Sequence, residues 1–179
     1  MLKWIALFRG INVGGNNVIP MQQLTALLGR IGCHNVSYYI QSGNLLFEHE
    51  DIDGATLSSH IAGQVNQEFG FCPQVLILKM SEFIQLAKAN PFVDAEAAPT
   101  TLHLYYLAAP PKAADLTKLK ELKKSNEAFV LAEKVFYLHA PDGIGRSKLA
   151  AKVESCLAVS TTARNWNTVS KLVSMAEAR

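Results

Sequence analysis

Apolar positions along this chain switch between two spacings. Residues 3–9 are apolar on both alternating faces, Trp4/Ala6/Phe8 and Ile5/Leu7. Alternation marks a strand, and two apolar faces predict a central strand covered on both sides. Met21, Leu24, Leu27, Leu28 and Ile31 then recur at helical spacing. They lie between Pro20, which suits a first turn, and Gly32, which suits a stop. Residues 36–40 and 45–48 read as short strands around a turn, Gln41-Ser42-Gly43-Asn44. Leu57, Ile61, Val65 and Phe69, four apart, place a second helix over 53–69, and 74–79 reads as another strand. The first half therefore runs β-α-β-β-α-β, the ferredoxin-like order.

Residues 81–89 predict a short helix stopped by Asn90-Pro91-Phe92, and 93–101 read as a linker. The order then repeats. A strand over 102–107 precedes a charged helix opened by Pro110-Pro111 and running to Lys124. A hairpin, 128–131 with 135–139, turns at Ala132-Glu133-Lys134. A helix over 148–157, a short strand over 161–164 and a final helix over 166–176 complete the chain. The repeat is one of element order, with negligible residue identity between the halves. The expected fold is α+β: two ferredoxin-like halves in tandem, residues 1–90 and 91–179, with an extra C-terminal helix.

Composition narrows the function without naming it. The 179 residues are 49% hydrophobic and 18% charged, an ordinary globular balance that argues against disorder. Net charge is +2, too weak to identify a partner and without the clear basic excess usual in a domain built to hold duplex nucleic acid. The first 90 residues hold 5 Lys and Arg against 6 Asp and Glu; the rest hold 12 against 9, so the mild positive field belongs to the second half. Cys33, Cys72 and Cys156 are far apart and show no CxxC spacing, which reads as small hydrophobes and not a disulfide framework. The opening MLKWIALF is too short an apolar run for a signal peptide, with Arg9 where a small-residue cleavage site would be. No stretch approaches the ~18–20 apolar residues that span a bilayer. A cytoplasmic protein without a membrane segment is expected.

Four segments carry more Gly, Asn and Arg than turns need. The first is the loop from Arg9 through Gly10, Asn12, Gly14 and Gly15 to Asn17. Glycines permit positive φ, and successive N–H groups can form an anion nest, but this is neither GxGxxG nor a P-loop. The second is the Gln41-Ser42-Gly43-Asn44 turn, where Asn and Ser also satisfy local backbone groups. The third runs from Asp142 to Lys148 and includes Arg146; the fourth holds Arg164, Asn165 and Asn167. Both are expected to enter helices. Helix starts carry partial positive charge, so cations placed there suggest a visiting anion. The structural alternative is that Arg146 and Lys148 point to solvent and Arg164 pairs with an acid. Asn165 is a good N-cap for the last helix.

Other chemistry is missing. The five histidines show no metal-ligand spacing, and no GxSxG elbow exists. Neither metal nor cofactor is expected, and no residue is nominated as catalytic. His103 and Tyr105 share one strand face, Tyr137 and His139 another. If those faces coincide, they form an aromatic surface of the kind that stacks RNA bases; if the two half-sheets pack on each other, they do not.

Arg9-Gly-Ile-Asn-Val-Gly-Gly, Ile19-Pro-Met and Tyr39-Ile-Gln-Ser-Gly-Asn44 resemble the opening of an uncharacterised bacterial family, domain of unknown function 1697. Asn90-Pro-Phe, Arg146-Ser-Lys and Thr162-Ala-Arg-Asn-Trp-Asn-Thr168 are similar to its later motifs. Tyr38 departs from it, standing where the family often has Thr. The resemblance spans essentially the whole chain. It implies a duplicated ferredoxin-like fold and supplies no activity, substrate or catalytic residue. Two readings follow. In the first, Arg9, Asn12, Gly14, Gly15, Asn17, Gln41, Ser42, Asn44, Arg146, Lys148, Arg164, Asn165 and Asn167 line a cleft for a small phosphate- or carboxylate-bearing ligand. In the second, the sheet faces make a non-catalytic RNA-binding or protein-interaction module.

Overall fold

The computed structural model describes residues 1–50 and 53–179, which divide into two compact units. The first comprises Met1–Gln85 with Leu172–Arg179, the second Leu86–Lys171. In chain order the first unit holds β1 (Leu2–Arg9), α1 (Met21–Arg30), β2 (His34–Tyr39), β3 (Asn44–His49), α2 (Gly54–Phe69) and β4 (Gln74–Lys79). These strands form one antiparallel sheet in the order β2-β3-β1-β4. Central β1 presents Trp4, Ala6 and Phe8 to the core, where they meet Leu45, Phe47, α1 (Leu24, Leu27, Leu28) and α2 (Leu57, Ile61, Val65). Ile5 and Leu7, on its other face, are fully buried as well.

Local chemistry sets the ends of the helices. Pro20 takes the position before α1, and its carbonyl accepts the N–H groups of Gln23 and Leu24 at 2.9 and 3.1 Å. The Asp53 carboxylate accepts the Thr56 N–H at 2.9 Å and so caps α2. Gly70, in the left-handed region, ends it. At the sheet edge, β2 slips register against β3 between His34 and Ser37.

Next comes α3 (Met80–Lys88), followed by β5 (Leu102–Leu107), α4 (Leu116–Leu122), β6 (Ala128–Leu131), β7 (Val135–His139), α5 (Val153–Leu157), β8 (Thr161–Asn165) and α6 (Trp166–Glu177). The second sheet, also antiparallel, is ordered β6-β7-β5-β8. Tyr105, Leu107, Phe136 and Leu138 form its core with Leu119 of α4 and Val153, Cys156 and Leu157 of α5. The result is an α+β fold of two four-stranded antiparallel sheets and six α-helices among the described residues. None of these helices is long and apolar enough to cross a membrane.

Three expectations are corrected. The helix opened by Pro110-Pro111 instead begins at Leu116, because Asp115 caps it through the Lys118 N–H at 2.9 Å and a proline disfavours helical backbone just before it. The helix over 148–157 shrinks to a 3-10 turn, Ala150–Lys152, followed by the five residues of α5. The linker over 93–101 is ordered into two 3-10 turns, Val93–Ala97 and Pro99–Thr101.

The second core contains one conspicuous polar residue. His103 pairs with Leu138 and Asn165 across the sheet, is 7% exposed, and its Nδ1 has no hydrogen-bond partner among the described residues. Burial pushes its pKa down to about 4. The unfolded chain therefore takes up this proton first as pH falls, and stability drops between about 6.5 and about 4. That depression is worth up to about 3 kcal/mol. Urea denaturation across this pH window should show a smaller acid loss in His103→Leu than in the native chain; equal losses would refute this assignment.

Candidate functional site

The glycine-rich first segment is a miniature hairpin. The Asn16 N–H donates to the Val13 carbonyl at 3.0 Å, and the Asn12 N–H donates to the Asn17 carbonyl at 3.1 Å. Gly14 and Gly15 form the two-residue turn between them, with φ of 58° and 75°. A turn with positive φ at both central positions matches the twist of the flanking chain and favours glycine. Successive N–H groups in a turn can also form an anion nest, but here the Asn12 and Asn16 N–H groups are already donated within the hairpin.

The asparagine side chains here are committed to the backbone. Asn12 Nδ2 donates to the carbonyls of Ile19 and Gln41 at 3.0 and 2.8 Å, and its Oδ1 accepts the Ile19 N–H at 2.7 Å. Asn17 Nδ2 donates to the Gly10 carbonyl at 3.0 Å. In the second segment, fully buried Asn44 donates to the Tyr39 carbonyl and the Ser42 hydroxyl at 3.1 and 2.9 Å. The Phe8 N–H donates to the Gly43 carbonyl at 2.8 Å. The first two predicted segments thus meet, joined through Asn12 and Gln41. Arg9 lies exposed beside them, its Nη1 donating to Gln74 Oε1 at 3.2 Å.

The other predicted residues belong to the second unit. Exposed Arg146 ends a single 3-10 turn, Ile144–Arg146. Lys148 is exposed after Ser147, whose hydroxyl accepts the Ala150 N–H at 3.0 Å. With α5 starting only at Val153, no helix dipole faces these two cations, which corrects the expected helix start. The Asp142 carboxyl is held below its usual range by hydrogen bonds from Asn126 and Lys124 and by the charges of Lys124 and Arg146. Arg146 therefore already acts on an acid of its own chain.

Arg164 lies within β8, one residue before the α6 cap, with Nη1 donating to the Ala163 carbonyl at 2.9 Å. Burial pushes its guanidinium down to about 10, against a smaller opposing effect of Tyr106. Asn165 Oδ1 accepts the Thr168 N–H at 3.1 Å and caps α6, while Asn167 is exposed.

The aromatic stripe does not form. Register pairs Leu104 with Tyr137 and Tyr105 with Phe136. Directly opposed residues share a face, so Tyr137 and His139 lie on the side opposite His103 and Tyr105. His103, Tyr105 and Tyr137 are also buried, and the Tyr137 hydroxyl donates to the Leu86 carbonyl at 2.6 Å.

Two grooves lie outside the predicted residues. In the first unit, Gln22 and Thr25 of α1 and Val36, Ser37 and Tyr38 of β2 line an open groove of about 420 Å³. Arg179 reaches its wall by donating Nη2 to the Ser37 hydroxyl. Its Nη1 and the Thr25 Oγ1 are enclosed with no hydrogen-bond partner among the described residues. In the second unit, Pro91, Phe92, Val93, Asp94, Ala95, Ala98 and His139 line a groove of about 590 Å³. Asn90-Pro91-Phe92 was a visible motif, but nothing in the sequence joins it to His139. Likewise nothing joins Ser37 to Arg179. No cluster of three or more His, Cys, Asp or Glu that could hold a metal exists among the described residues.

The profile described as "Protein of unknown function (DUF1697)" matches residues 1–137. The chain belongs to the DUF1697 family. Among solved structures, a conserved bacterial protein from Streptococcus pneumoniae is similar at 19% identity. The match covers 98% of each chain, with a TM-score of 0.72, and shows a shared fold. Comparison with curated proteins finds no match. Function therefore remains unassigned by similarity.

In this DUF1697 chain the segments that carry the resemblance largely build turns and caps. Gly43 shows how tightly. It has φ of 80°, and an added Cβ would lie 2.5 Å from Phe8 Cβ and 2.8 Å from Ile11 Cδ1. Gly15 also has positive φ, but its added Cβ would meet nothing within 4 Å. Gly43→Ala should therefore destabilise the chain by about 2–4 kcal/mol, combining left-handed strain with overpacking, and Gly15→Ala by only about 1–2. Urea denaturation midpoints test this; equal losses would contradict the packing argument.

Proposed function

We propose that this DUF1697 protein is a cytoplasmic binding protein for a small anionic molecule, held in the groove between α1 and β2. We further propose that both units are ferredoxin-like and arose by internal duplication. The shared strand order, 2-3-1-4 in each sheet, together with the repeated β-α-β-β-α-β sequence of elements, supports the duplication. The spacing of the cysteines, all free, supports the compartment.

One observation carries the ligand reading: an enclosed guanidinium nitrogen without an acceptor beside a groove that contributes no acid. Buried donors are normally satisfied, and leaving one unpaired costs about 1–3 kcal/mol. Burial lowers the Arg179 pKa, and the charge of Glu48 works the other way. Glu48 itself accepts a hydrogen bond from Asn35 at 3.0 Å. A carboxylate or phosphate oxygen would satisfy Arg179 Nη1, and guanidinium forks suit both groups. The hydroxyls of Ser37, Tyr38 and Thr25 and the Gln22 amide supply neutral hydrogen-bonding groups. The groove volume is within the range of small-molecule sites. This moves the anion site away from the glycine and asparagine loops.

Calorimetric titration of the full chain with inorganic phosphate and with succinate tests the reading. Saturable binding of at least one is expected, with a stabilisation of about 2.7 kcal/mol at a hundredfold excess over Kd. Arg179→Gln should abolish it and Thr25→Val should weaken it. Failure of both anions to bind, or undiminished binding by Arg179→Gln, would overturn the proposal.

A further inference from the structure

We propose that the groove in the second unit, between the segment 91–98 and His139, is a binding site for a small aromatic ammonium ion. This rests on a different unit and on different residues from the anion groove. Its wall begins with a rigid turn. Asn90, 5% exposed, accepts the Phe92 N–H on Oδ1 at 3.0 Å and donates Nδ2 to Glu96 at 2.9 Å. The chain then winds through the 3-10 turn Val93–Ala97, closed by Ala95 N–H to the Phe92 carbonyl and Ala98 N–H to the Ala95 carbonyl, both 3.0 Å. That winding places Phe92, Val93 and Asp94 on one lining.

Three features select the ligand. Phe92 is only half-buried and stands 6.2 Å from the His139 ring at 38°, so the two rings form a splayed aromatic wall. Offset or edge contact with a further ring is the favoured use of such a wall. Val93 is 65% exposed beside it, an apolar surface that a ring would cover. The lining carries one carboxylate, Asp94, and no Lys or Arg; between Lys88 and Lys112 the sequence contains neither. Glu96, nearby, already accepts from Asn90. A ligand cation therefore meets Asp94 directly and the Phe92 face by cation–π attraction, whereas an anion meets only like charge. At about 590 Å³ the groove has room for a bicyclic amine.

The test uses the ¹⁵N-labelled full chain titrated with tryptamine, and separately with indole-3-acetate, which keeps the ring and reverses the charge. Tryptamine should give saturable amide shifts concentrated at residues 92–98 and 139. Indole-3-acetate should bind at least threefold more weakly. Asp94→Asn, an exposed position whose spectrum also reports its folding, should weaken tryptamine about threefold to tenfold. Phe92→Leu should weaken both indoles by removing the ring while keeping apolar bulk. The proposal is overturned if tryptamine gives no saturable shifts at these residues, if the two indoles bind equally, or if Asp94→Asn leaves tryptamine binding unchanged.

Discussion

A chain that leaves a buried central strand must find partners for its backbone groups, and in the first unit one carboxamide ties the loop after β1 to two other segments. Asn12 joins the loop after β1, the approach to α1 at Ile19 and the β2–β3 turn at Gln41. Its own φ of 54° is a conformation that asparagine tolerates better than most residues. Gly43 completes the junction, with its carbonyl taken by the Phe8 N–H and its missing side chain leaving room for Phe8 and Ile11. Without this junction, the hairpin turn and the helix entry would each have to satisfy backbone groups separately.

The sequence announced the first unit well because local and tertiary signals agree there. The apolar period of α1, the Pro20 entry and the two-faced β1 pattern each point to the element that forms. In the second unit they conflict. The charged run before Lys124 looks helical throughout, but Asp115 and two prolines delay α4 to Leu116. The five residues of α5 are anchored by packing of Val153, Cys156 and Leu157, not by length. Strand phase was equally hidden. The alternation within β5 and within β7 is visible, but the pairing of Leu104 with Tyr137 depends on the long excursion between them. The sequence could not choose the side on which each aromatic would lie.

The candidate site is less legible in the sequence for a related reason. Polar residues look functional in a sequence whether or not their hydrogen bonds are already made. Asn12, Asn17, Asn44 and Asn165 turn out to be satisfied by nearby backbone or side chains. Thr25 and Arg179, two of the residues with a buried polar atom that lacks a hydrogen-bond partner among the described residues, carry no motif at all. Arg179 reaches Ser37 across 142 positions of sequence, a distance over which no local pattern survives. Glycine and asparagine density therefore accompanies committed backbone geometry, while incomplete hydrogen bonding lies at the groove between α1 and β2.

The irregular pairing of β2 has an effect beyond its own unit. As the outermost strand of its sheet, β2 would offer a row of free backbone groups to any neighbouring chain. Asn35 interrupts that row with a φ of 50°, and the slip between His34 and Ser37 bends the rim. A foreign strand aligning there would lose register after a few residues, so the kink works as a guard against self-templated aggregation.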